Sequence, residues 1–322
     1  MYLDETFSDK LETEYVAGVD ENNVEQVLED IIKAGADIVF CVGPQMMPNS
    51  LKVAVAHPEV YILNCSLNAP HPYIRTYYGR MYEAKFLAGM IAGAVTDNER
   101  VAYIADYPIY GMIANINAFA LGVASVNPRA KVYLAWSKTK DYDRDKFLTE
   151  NDLHYVSDQD IITPNDASRY FGLYKIQGDQ TLNLAMPIWN WGVFYEKLLQ
   201  SVLAGSYKAE GQEQVKALNY WWGMSAGVID LICSKHVPYG VKRLADHLKS
   251  DITKGEVVPF FGQIYDQKGE LKNKGEHEMK PSDIMKMDWL VDNVVGSIPP
   301  MSEFVDNAKM VVELKGVEEN KL

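Results

Sequence analysis

Apolar positions along the chain switch repeatedly between two spacings. Val24, Val27, Leu28, Ile31 and Ile32 recur on one face of a 3.6-residue turn, which predicts a helix ended by Gly35. The next stretch, ADIVFCV (36–42), is a continuous apolar run of the kind buried on both faces of a parallel sheet. A helix at 49–57, stopped by Pro58, and a strand at 60–65 repeat the pattern. Further strands are expected at 11–18, 73–77, 101–105, 131–136, 153–156, 170–176, 182–188 and 215–222. Helices are expected at 82–95, from Ile113 to Asn127-Pro128, and at 143–150, 193–203, 241–248 and 284–295. Residues 163–168 read as a turn, and 259–271 as a hairpin around Asp266–Gly269. Alternating strands and helices in this order predict parallel strands joined by right-handed crossovers.

The helix at 82–95 is rich in small residues, Ala84, Ala88, Gly89, Ala92 and Gly93. Small side chains allow close backbone approach, so this helix is expected to pack tightly on the sheet or on a subunit partner. Residues 101–128 are the clearest strand–loop–helix unit. In doubly wound sheets ligands gather at the carboxyl ends of strands. Asp106, Tyr107 and Tyr110 sit on such a loop, and Ser157-Asp158-Gln159-Asp160 on another. Each also reads as ordinary turn chemistry.

A length of 322 residues suits two lobes of roughly 150 each. The net charge of −13, from 31 basic and 44 acidic residues, argues against a nucleic-acid partner and against docking on anionic lipid. Three separated cysteines form no disulfide framework. The longest apolar run, 86–95, is too short to cross a bilayer, and direct membrane insertion is not expected. The N-terminus has no signal-peptide pattern. That implies a cytoplasmic protein if the sequence is whole, and an extracytoplasmic one if a leader has been removed.

No phosphate-binding glycine loop, zinc spacing or H-E-x-x-H occurs, so no cofactor or metal is expected. Gly223-Met224-Ser225-Ala226-Gly227 fits the G-x-S-x-G of a hydrolase elbow, with Asp230 or Asp246 and His247 or His277 as partners. The pattern is short, and few residues remain to complete such a fold. Tyr107, Tyr110, Trp189, Trp191, Trp221 and Trp222 lie near strand ends, where flat rings can clamp a planar ligand; they can equally fill a core.

Several segments together resemble the basic membrane protein family, the purine-nucleoside-binding proteins of ABC import systems. They are YYGRMYEAKFLAGMIAGAVT (77–96), ADYPIYGMIANINAFALGVASVNPRA (105–130), IWNWGVFYEKLL (188–199), YWWGMSAGVIDL (220–231) and MDWLVDNVVGSIP (287–299). The resemblance implies a type I periplasmic-binding-protein fold: two doubly wound parallel-sheet lobes joined by a hinge and closing on a ligand. Matched to that pattern, the given sequence is expected to start near the second strand, without the usual first strand and helix. One lobe is expected from 1–100 with about 190–255, the other from 101–189 with part of 256–322. The expected ligand is a nucleoside or nucleobase, bound without catalysis and passed to an ABC permease. The implied ligand-binding residues are Asp106, Tyr107, Tyr110, Asp160, Tyr174, Trp189, Asn190, Trp191, Trp222 and Met224. A cytosolic ligand sensor of the same fold is the alternative. Gly223–Leu231 matches the family's G-x-x-x-G pattern, which accounts for both glycines without a hydrolase elbow.

Overall fold

The computed structural model describes residues 2–7, 10–67, 71–160, 169–205, 220–315 and 317. Residues 163–168 and 215–219, read above as a turn and part of a strand, lie outside this set. The chain forms two compact units, residues 1–79 with 190–222 and residues 80–189 with 223–322. It passes between them three times, at Gly79/Arg80, Trp189/Asn190 and Trp222/Gly223. The sequence expectation drew the first and third of these crossings about 20 and 30 residues later.

The first unit opens with α1 (Tyr2–Thr6) and an extended stretch. The strand expected at 11–18 does not form. Its residues take no strand conformation and mostly face solvent, with Tyr15 86% exposed. α2 (Val24–Lys33), β1 (Ile38–Cys41), α3 (Met47–Ala56), β2 (Tyr61–Cys65) and β3 (Arg75–Gly79) follow in the predicted order. β1, β2 and β3 pair in parallel. The period-2 alternation of β1 sorts its side chains to two faces. Val39 and Cys41 join Val24, Leu28, Val53 and Ile62. Phe40 turns instead to an aromatic face.

In the second unit, α4 (Tyr82–Val95) leads to β4 (Arg100–Ala105), α5 (Met112–Val126), β5 (Lys131–Trp136), α6 (Arg144–Glu150) and β6 (Tyr155–Ser157). β7 (Leu173–Gln177) and β8 (Gln180–Trp189) complete the segment before the chain returns to the first unit. There, α7 (Trp191–Leu203) and β9 (Tyr220–Trp222) finish the first sheet, ordered β1-β2-β3-β9 and all parallel. β10 (Ile229–Cys233), α8 (Tyr239–Lys254), β11 (Gln263–Tyr265), β12 (Leu271–Lys274), α9 (Pro281–Met285), β13 (Val294–Val295) and α10 (Asp306–Lys315) belong to the second unit.

The second sheet runs β10-β8-β7-β6-β4-β5-β13. It is parallel only across β6, β4, β5 and β13; β7, β8 and β10 pair antiparallel. The doubly wound expectation therefore holds for half of this sheet. The reason is local: Gly178 and Asp179 join β7 to β8, and a two-residue turn cannot make a parallel crossover. Its consequence is geometric. The start of β7 and the end of β8 share one edge of the sheet with the carboxyl ends of β4, β5 and β6.

Within the chain, α4 lies chiefly against α5 rather than on the sheet. A Cβ on Gly89 would stand 2.0 Å from the Phe119 carbonyl oxygen, and one on Gly122 2.0 Å from that of Phe86. The helix expected at 284–295 is also absent beyond Met285. The Asn117 amide donates to the Trp289 carbonyl at 2.7 Å, and its oxygen accepts from the Val291 N–H. Those backbone groups are then unavailable to a helix, and Val294–Val295 adds to the sheet beside β5.

Candidate functional site

Strand ends supply the polar groups of the second unit. β4 ends in Ala105, so Asp106 stands at the carboxyl edge, where its carboxylate accepts a hydrogen bond from the Ser137 hydroxyl beyond β5. Beyond β6, Asp158 accepts from the Tyr174 hydroxyl at 2.9 Å and from the Gln159 N–H. Tyr174 accepts in turn from Arg144 Nη2 at 2.9 Å. The Arg144 guanidinium carbon sits over the Tyr170 ring, 3.7 Å from its centroid, a cation–π arrangement. Tyr142 lies within electrostatic reach of both Asp158 and Asp106; burial, then those charges, pushes its hydroxyl up to about 12. Burial also raises the Asp158 carboxyl, against the opposing hydrogen bond from Tyr174.

Behind this edge sits a buried lysine. Lys85, on α4 and 1% exposed, donates to Asp160 Oδ1 at 2.6 Å, Ser157 Oγ at 3.1 Å and the Asp158 carbonyl at 3.4 Å. Three acceptors match the three protons of an ammonium. This hub ties the 157–160 loop to the helix below it. Burial raises the Asp160 carboxyl, with the Lys85 charge pulling the other way. Gly172, with φ +59°, closes the loop from the other side: its N–H donates to Gln159 and its carbonyl accepts from Asp158.

Glu83, two residues before Lys85 on the same helix, is buried too. Its carboxylate accepts from the Met224 N–H at 2.6 Å and faces Arg80 Nε at 3.2 Å. A Cβ on Gly223 would fall 2.3 Å from Glu83 Oε2, so only glycine fits. Gly227, at φ +74°, is the left-handed cap of the following single turn. Both glycines of G-x-S-x-G thus serve backbone geometry. Ser225 accepts from Arg80 Nη2 at 3.2 Å. Its proposed partners are engaged elsewhere, Asp230 with Lys249 and His247 with Asp251. No helix follows Ser225, as an elbow would need.

The ten sequence-derived residues are distributed as follows. Asp106, Tyr107 and Tyr110 are on the β4 loop, all half-buried. The Tyr107 ring packs on Phe304, Ala308 and Val312 of the C-terminal segment. Asp160 is bonded to Lys85. Tyr174 and Met224 are buried, their polar groups taken by Asp158 and Glu83. Trp189 ends β8 on the same edge, and among the described residues its buried indole N–H has no partner. Asn190, Trp191 and Trp222 belong to the first unit. Asn190 precedes α7 and offers its carbonyl to the Val193 N–H. Trp191 lies edge-on to Tyr77 and Phe194 and stacks on Tyr195, while Trp222 tilts against Phe194. Tyr77 stacks on Phe194 with centroids 4.7 Å apart, so this is a packed aromatic layer on the sheet.

Sequence reasoning missed Arg144, Ser137, Tyr142, Lys85 and Glu83. The signal for the last two was present: a lysine and a glutamate inside an otherwise small and apolar helix. Arg144 looked like part of a solvated charged helix, and nothing in its spacing set it apart.

The fold is shared with solved structures. A solute-binding protein of an ABC transporter system from Conexibacter woesei superposes with a TM-score of 0.53 over 80% of this chain and 90% of its own, at 16% identity. A structure titled a transcriptional activator of the comK gene, from Bacillus halodurans, gives 0.55 over 75% and 87%, at 14% identity. Both show a shared fold. The family model described as ABC transporter substrate-binding protein PnrA-like (Bmp) matches residues 2–180, more than half of the chain. The chain belongs to that family, whose members bind a small molecule for a transporter. A purine-binding protein of Brucella abortus is 27% identical over 92% of this chain and 87% of its own length. A Haloferax volcanii protein named for glucose binding in an ABC transporter is 29% identical over 70% of this chain; the match spans 59% of that relative. Among the described residues, no helix is long and apolar enough to cross a membrane.

Proposed function

We propose that this substrate-binding protein takes a purine nucleoside or nucleobase at the carboxyl edge of its second unit and delivers it to an ABC permease from outside the cytoplasm. The observation that carries the reading is the convergence of Asp106, Tyr142, Arg144, Asp158 and Tyr174 on one sheet edge. A flat heterocycle needs carboxylates for its ring N–H groups, donors for its carbonyl and ring nitrogens, and aromatic surface for its faces. Asp106, Tyr110 and Trp189 are the contact residues in this reading. Tyr107, Asp160, Tyr174 and Met224 brace them from behind, while Trp191 and Trp222 form the aromatic layer of the first unit beside Asn190. The Brucella relative, named for purine binding and aligned over nearly the whole chain, supports the ligand class.

Titration calorimetry against purine nucleosides, purine bases and glucose tests the reading. Purines bind, glucose does not, and Asp106→Asn weakens purine binding by roughly tenfold or more, as expected when a charge-assisted hydrogen bond is lost. The second reading is a sugar, favoured by the Haloferax relative. Heat on adding glucose, with none for any purine, would decide for it.

A further inference from the structure

Resting on the ligand reading above, we infer that Arg144 is the specificity-determining residue and that the site selects 6-oxopurines (guanine and hypoxanthine and their nucleosides) over adenine. A guanidinium carries five N–H donors in a rigid plane and no acceptor. Two groups take them up here: Tyr174 accepts from Nη2, and Asp145, 91% exposed, accepts from Nη1 at 3.1 Å. An ion pair with so exposed a carboxylate is worth little and exchanges readily. Arg144 Nε is buried and has no partner among the described residues. A desolvated donor on a charged group lacking an acceptor is unfavourable, and native structures seldom leave one without a use. The Tyr170 ring, 3.7 Å from the guanidinium carbon, and the hydrogen bond to Tyr174 hold the fork in place. The group is therefore set to receive acceptors in a fixed orientation.

The two purine types differ on the edge such a fork reads. Guanine and hypoxanthine present two acceptors there, O6 and N7, which match paired guanidinium donors. Adenine presents N7 beside an amino group, whose N–H would meet the N–H of Arg144. The acids of the same edge discriminate in the same sense. Asp106, fixed by Ser137, accepts a hydrogen bond and donates none when ionised. A 6-oxopurine offers it N1–H, and adenine has only a lone pair at N1.

The test compares inosine with adenosine by titration calorimetry on the wild-type chain, Arg144→Met and Arg144→Lys. Wild type binds inosine roughly tenfold or more tighter than adenosine, the size of one good paired contact. Arg144→Met weakens inosine, leaves adenosine within about twofold, and so erases the ratio. Arg144→Lys, which keeps the charge without the planar fork, retains only part of it and serves if the methionine variant fails to fold. Equal affinities in the wild type, or equal losses for both nucleosides in a folded variant, overturn the inference and leave purine binding standing. No binding of inosine, adenosine, hypoxanthine or adenine overturns both.

Discussion

At the residue scale, Glu83 shows how a buried carboxylate is tolerated. It satisfies the Met224 N–H and faces Arg80, yet burial dominates and holds its carboxyl above the ordinary value of 4.5. The native state therefore keeps a proton that the unfolded chain releases. Stability falls as pH rises through the window between 4.5 and the raised native value, and the penalty is complete above it. Glu83→Gln keeps an acceptor for Met224 and removes the ionisation. Its melting temperature is expected to match wild type at pH 4 and to exceed it at pH 7. Thermal scans across that range check this; a variant that loses more at pH 7 than at pH 4 would show that the Arg80 pairing outweighs burial. Gly223 belongs to the same argument, since any side chain there would displace the carboxylate. The sequence showed the glycine but not its reason, because Glu83 is 140 residues away.

At the element scale, the legible parts were those whose physics is local. The helix at 82–95 and the strand at 131–136 match their observed bounds, and α2 ends where Gly35 takes a φ of +105°. The failures are non-local. The stretch 11–18 has strand-like residues but stays largely exposed and outside either sheet. The stretch 284–295 has helical spacing, but Asn117 captures its backbone. The small residues of α4 were read correctly as permitting close approach, and the partner was misjudged. Backbone contact at Gly89 and Gly122 makes the α4–α5 crossing intolerant of a single methyl group. Gly89→Ala, which helix propensity alone would favour, is expected to destabilise by about 3 kcal/mol. Urea unfolding would measure it. A stabilised variant would mean that the helices separate easily.

At the scale of the whole molecule, two cores in one chain make the location of a bound ligand measurable. Family motifs announced the class of fold, and strand-end acids pointed to the edge of the second sheet that the proposed site uses. What stayed hidden was the way Lys85 on one side and Tyr174 with Arg144 on the other hold the 157–160 loop, because these groups meet that loop only when helices α4 and α6 and strand β7 are assembled. A ligand that binds only the native state slows exchange of amides that open by unfolding of the binding unit, by the factor 1 + [L]/Kd. At a hundred times Kd that factor is about a hundredfold. The edge proposed here is made by residues of the second unit. The slowest amides of β4, β5 and β8 should therefore slow by that factor with a purine nucleoside bound. Amides of β1 and β2 provide the comparison, since Asp106, Tyr142, Arg144, Asp158 and Tyr174 all belong to the other unit. Protection that appears in β1 and β2 without β4, β5 and β8 would move the ligand to the aromatic layer around Trp191 and remove Asp106 from the site.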